Sequence, residues 1–122
     1  MDVLLVTKSD LNRQFQRHCL TRMDGVDVTE AESVVDAMSA VMQRSFELVI
    51  TDWLPGQGGL ALLQELRRFD SSVRVVIVTE AASPECILSA WDAGCSDYIL
   101  LPLNPDEFCE RIQECLACAL PQ

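Results

Sequence analysis

Lysine and histidine are nearly missing from this chain: Lys8 and His18 are the only ones among 122 residues. Lys and Arg together number 9 against 19 Asp and Glu, a formal net charge of −10. Phosphate backbones recruit basic surfaces, so no nucleic-acid interface is expected on this domain. The same charge argues against docking on anionic membranes. No apolar run approaches the roughly 18 residues of a membrane span. The opening Met1–Val6 has no basic region and is too short for a signal peptide, so a cytoplasmic protein is expected.

The scarcity of histidine also bears on the six cysteines, Cys19, Cys86, Cys95, Cys109, Cys115 and Cys118. Cys115-x-x-Cys118 has zinc-like spacing but no second Cys/His pair to complete a site. Four of the six fall in helical patterns with apolar neighbours, where a free cysteine behaves as a small buried hydrophobe. We therefore expect neither a disulfide framework nor a metal centre.

What is present is a regular alternation of apolar runs and amphipathic segments. Val3–Val6 reads as a strand, and Asp10–Met23 as a helix with Leu11, Phe15, Cys19 and Leu20 on one face. A short strand is expected at Val26–Thr29. Ser33 then opens a capping pattern with Asp36 three residues on, ahead of Val34, Val35, Met38, Val41 and Met42 at helical spacing. Leu60–Phe69 reads as a helix facing inward through Leu60, Leu63 and Leu66, and Val73–Thr79 as a strand. Ser83–Ala93 reads as a helix stopped by Gly94, and Ser96–Leu101 as the last strand. Asn104-Pro105-Asp106-Glu107 is a strong helix start for a segment reaching about Ala119. The sum is one α/β domain over residues 1–122, a doubly wound (βα)5 three-layer sandwich. Its expected parallel five-stranded sheet has the order 2-1-3-4-5.

The chain is organised around Phe46–Leu60, FELVITDWLPGQGGL. A short apolar run closed by turn residues reads as a strand buried on both faces. It ends at a lone acid, Asp52, where open α/β sheets place their ligand crevice. The plainer role for that acid is a turn former or cap.

Taken together, Asp52, Thr79 at the end of the fourth strand, Ala93-Gly94, Tyr98 within the fifth strand and Leu101-Pro102 after it resemble the receiver domain of response regulators, of the chemotaxis-regulator type. The resemblance covers essentially the whole chain. It implies that Asp52 matches an acid phosphorylated by a histidine kinase, and that Thr79 and Tyr98 match switch positions. It also implies an acid pair after the first strand that binds Mg²⁺, and a Lys before the Pro that follows the fifth strand. Here those positions hold Thr7, Lys8 and Leu101, and Glu80 follows Thr79 where a small residue is usual. The loop Asp52-Trp53-Leu54-Pro55 is one residue shorter than the family's pattern. Phosphoryl transfer depends on neutralising charge on the equatorial oxygens, so this degenerate pocket implies that Mg²⁺ binding is lost or weak. Asp10 reads as a helix cap rather than a substitute metal ligand.

The leading expectation is an atypical pseudo-receiver, not an enzyme, with no cofactor, that acts by binding a protein partner or its own output domain. The alternatives are an active phosphoacceptor in a phosphorelay, with Asp52 as the site, and a small-ligand sensor. No Gly-rich phosphate loop supports the last. By resemblance, a partner or homodimer surface is expected on the fourth helix, fifth strand and fifth helix, at Ile87, Trp91, Tyr98 and Arg111. The lone Lys8 is expected to turn inward and pair with Asp52.

Overall fold

The computed structural model describes residues 1–52, 61–69, 72–80, 83–101 and 104–117. Five strands, β1 (Asp2–Val6), β2 (Asp27–Ala31), β3 (Leu48–Thr51), β4 (Arg74–Thr79) and β5 (Asp97–Leu100), alternate with five helices. The helices are α1 (Asp10–Thr21), α2 (Val34–Gln43), α3 (Ala61–Phe69), α4 (Pro84–Asp92) and α5 (Pro105–Ala117). The strands are parallel in the order β2-β1-β3-β4-β5, as the alternation predicts.

Both faces of the sheet are apolar because successive strand residues point to opposite sides. Leu4, Val6, Val49, Val75 and Ile77 pack on one side with Ala37, Leu62, Leu63, Leu66 and Ala90 of α2, α3 and α4. Val3, Leu5, Leu48, Ile50, Val76 and Val78 pack on the other with Cys19, Leu20, Phe108 and Ile112 of α1 and α5. Phe15 and Phe108 meet edge to face at 5.6 Å, joining those two helices directly.

Helix starts follow the expected chemistry. The hydroxyls of Ser33 and Ser83 accept from the backbone N–H of Asp36 and Cys86 at 3.1 and 3.2 Å. Asn104 and Glu107 cap α5 reciprocally: Oδ1 accepts from Glu107 N at 2.8 Å, and Nδ2 donates to Glu107 Oε1 at 2.7 Å. Gly94, just past α4, has φ +97°, the left-handed region that a side chain disfavours. Arg67 of α3 donates to the Gly94 carbonyl from Nε at 3.0 Å and Nη2 at 2.7 Å, latching α3 to the end of α4.

Three expectations about these elements need correction. Leu11, expected on one face with Phe15, Cys19 and Leu20, is 77% exposed. Ser9, not Asp10, caps α1, its hydroxyl accepting from Asn12 N at 3.2 Å, while Asp10 pairs with Arg13 at 3.2 Å in the first turn. The second strand runs two residues beyond Thr29, to Ala31, because its pairing with β1 continues to Val6↔Ala31. The Trp53–Leu60 segment, Pro102, Cys118 and the expected end of the last helix at Ala119 lie outside the described residues.

Candidate functional site

In this strand order the chain reverses direction of travel across the sheet between β1 and β3, which opens a crevice beyond their carboxyl ends. Asp52 stands there, one residue past β3 and half-buried, with its backbone N–H donating to Val6 O at 3.2 Å. The Thr51 hydroxyl donates to the Asp52 carbonyl at 3.2 Å. On the neighbouring strand end Thr7 is buried, and its Oγ1 accepts from Ser9 N at 3.1 Å in a tight turn. Thr79 closes β4, also buried, and its carbonyl accepts from Leu101 N at 2.9 Å. Leu101 packs on the α1/α5 side of the core, while Glu80 is exposed. The structure therefore brings Thr7, Asp52, Thr79 and Leu101 to the ends of adjacent strands.

Lys8 does not join them. It is exposed, and none of the ion pairs among the described residues includes it. The expected pairing of Lys8 with Asp52 is thus not formed. The Thr7–Ser9 turn buries the threonine and leaves its neighbour in water, where a strongly hydrated ammonium is stable. The cation that does reach the end of β1 is Arg13. Its Nη2 donates to Thr7 O at 3.4 Å, and its guanidinium pairs with Asp10 at 3.2 Å and Glu32 at 3.3 Å. Nothing in its sequence context marks it, since an arginine at helical spacing is what a solvated face carries.

Tyr98 is buried in β5 on the α2–α4 side. Burial pushes its phenol above its ordinary pKa, and the negative potentials of Cys86, Cys95 and Asp52 push the same way. On α4, Trp91 is 46% exposed and Leu88, three residues earlier, is 63% exposed. Leu100 is a further exposed apolar side chain at the end of β5. Ile87 leans into the core instead. Arg111 is engaged at home: Nη2 lies 2.8 Å from both Asp97 carboxylate oxygens and Nε lies 3.1 Å from Oδ2. Hydrogen bonding to that carboxylate raises the Arg111 pKa further.

The sequence pattern of the response regulator receiver domain matches residues 3–113. The chain belongs to this family. It is 30% identical over 121 residues to a chemotaxis protein CheY homolog of Campylobacter jejuni, covering 95% of this chain and 92% of that one. Its fold superposes with a TM-score of 0.88 on a CheY-like response regulator receiver domain protein from Methanospirillum hungatei, at 25% identity over 97% and 94% of the two chains. It also matches NtrX from Brucella abortus, with a TM-score of 0.89 and 27% identity, over 97% of this chain but only 28% of that longer one. The chain is thus a receiver domain of two-component signalling.

The Mg²⁺ that the family resemblance implies would need ligands at the crevice. The hard ion takes oxygen ligands from carboxylates. Among the described residues no three His, Cys, Asp or Glu converge to hold a metal. The Thr7 hydroxyl that stands in an acid's place already accepts from Ser9 N. No described helix is long and apolar enough to cross a membrane.

Proposed function

We propose that this receiver domain is a pseudo-receiver: a binding module rather than an enzyme, not phosphorylated on Asp52 in the usual Mg²⁺-dependent way. The observation that carries the reading is the buried Thr7 at an acid position, its hydroxyl engaged within its own turn. Leu101 at the cation position, packed into the core rather than reaching the crevice, supports it from the other side. With neither metal nor a fixed cation, charge on a transferred phosphoryl group has little to balance it. The domain then acts in the cytoplasm through a protein partner, a kinase or an output domain, by way of the α4–β5–α5 face. The exposed Leu88 and Trp91 favour that face, because aromatic side chains are enriched at binding hot spots. The test is titration with beryllofluoride and Mg²⁺, read by mass spectrometry and NMR. No adduct at Asp52 is expected. A stoichiometric, Mg²⁺-dependent adduct overturns the reading and restores an active phosphoacceptor.

A further inference from the structure

Away from the crevice, α1 and α5 bring two cysteines together that stand 90 residues apart in the chain. Cys109 is half-buried, and its Sγ lies 3.5 Å from the Cys19 carbonyl oxygen. Cys19 is fully buried, and its own carbonyl is the group that Cys109 Sγ reaches, so the two residues are direct neighbours across α1 and α5. Cys109 also lines a cleft of about 350 Å³ with Arg22, Met23, Asp106, Glu110 and Gln113. One thiol thus faces a polar, solvent-connected cleft and the other is buried. The remaining described cysteines have other surroundings. Cys115 directs its thiol toward Asp97 Oδ2 at 3.9 Å, Cys95 is buried, and Cys86 lies on α4.

We propose that Cys109 and Cys19 form an oxidation site that closes to a disulfide tying α1 to α5, with a hydroperoxide as the oxidant. The Cys109 sulfur, as thiolate, attacks a peroxide oxygen. The O–O bond breaks, hydroxide or alkoxide leaves and takes up a proton, and Cys109 becomes a sulfenic acid. The Cys19 sulfur then attacks the Cys109 sulfur. An S–S bond forms, the S–O bond breaks, and the hydroxyl departs with the Cys19 proton as water. Two thiols lose two electrons in total, and hydrogen peroxide is reduced to two waters. The order of events follows from the surroundings. Burial, with the nearby Cys109, pushes the Cys19 thiol up to about 11, so it stays protonated and inert until the sulfenic acid is beside it. Cys109, which lines the cleft, is the thiol that a peroxide reaches first.

The experiment uses the intact, reduced chain, titrated with hydrogen peroxide, alkylated after denaturation and mapped by peptide mass spectrometry. The expected product is a cross-linked Cys19–Cys109 peptide, lighter by two hydrogens and restored by dithiothreitol. Closing so long a loop should raise the thermal midpoint by roughly 5–15 °C in the oxidised form alone. Cys109→Ser should abolish both the cross-link and the shift. Cys19→Ala leaves the entry thiol in place, so Cys109 should then accumulate as a sulfenic acid that dimedone traps. A disulfide joining other cysteines, oxidation of Cys109 to sulfinic acid with Cys19 still alkylated, or no reaction at all overturns the proposal.

Discussion

Restoring the missing acids is the most direct test of the proposal that the crevice is unsuited to Mg²⁺. The perturbation is Thr7→Asp with Lys8→Asp. Val6 pairs with Thr51 across β1 and β3, and the Asp52 N–H still bonds to Val6 O, so Thr7 and Asp52 sit side by side one step beyond. Neighbouring strands lie about 4.8 Å apart, which brings two carboxylates there to roughly 5–6 Å. At an effective dielectric of 20 that repulsion is about 3 kcal/mol. The site of the new acid is 1% exposed, so desolvation adds to it. Lys8→Asp contributes less, because Lys8 is exposed. Without metal the double variant should melt roughly 10–15 °C below the parent. Mg²⁺ at ten times its dissociation constant should return about 1.4 kcal/mol, or about 5 °C. The parent should show no such shift. Scanning calorimetry with and without Mg²⁺, at matched ionic strength, separates binding from screening. An equal Mg²⁺ response in the parent would refute the argument, since the existing donors would then suffice. A folded variant that ignores Mg²⁺ would also refute it, by showing that the lost acids were not what excluded the ion.

Two further outcomes follow from the surfaces and the core. Trp91→Ala should weaken association with a partner or a second copy, measured by sedimentation or titration. It should cost under about 1 kcal/mol of stability, because nearly half of the side chain is already in water; a loss of stability with association unchanged would mark Trp91 as a packing residue. Alkaline pH should destabilise the fold. Burial raises Cys19 and Cys95 from 9.0 to about 11, the negative charge of Asp97 adding to the effect at Cys95, and burial raises Tyr98 in the same direction. The unfolded chain therefore deprotonates first, and each thiol's contribution is whole below pH 9 and fades as pH climbs toward 11. That loss is on the order of 2 kcal/mol per thiol, read from denaturant midpoints against pH. Cys19→Ala and Cys95→Ala should each flatten the curve, and a midpoint constant through pH 11 would contradict the burial argument.

The fold was legible because each level of the chain points the same way. Runs such as Val75–Val78 are apolar at every position, which only a strand covered on both faces tolerates. Ser33, Ser83 and Asn104 act within three residues of themselves, so their capping could be read without knowing the rest. The crevice was legible as a set of positions, since Thr7, Asp52, Thr79 and Leu101 are placed by strand ends.

What could not be read was where side chains turn once several partners compete. Lys8 and Asp52 have complementary charge and adjacent strands, yet a single Thr7 Oγ1 to Ser9 N hydrogen bond sets the turn that keeps the ammonium outside. Arg111 has the character of an exposed hot spot. Its bidentate grip on Asp97, 14 residues earlier, fastens α5 to β5, and only the packed sheet reveals it. The consequence for function is specific. On the proposed reading, a partner arriving at the α4–β5–α5 face meets an arginine already held by Asp97, two uncovered apolar side chains, Leu88 and Trp91, and exposed acids such as Glu85, Asp92 and Glu110. Burying apolar surface needs no rearrangement of the face, whereas recruiting Arg111 would strand the Asp97 carboxylate, whose side chain is only 20% exposed. Recognition at this face should therefore be carried by apolar contact at Leu88 and Trp91 rather than by recruitment of Arg111.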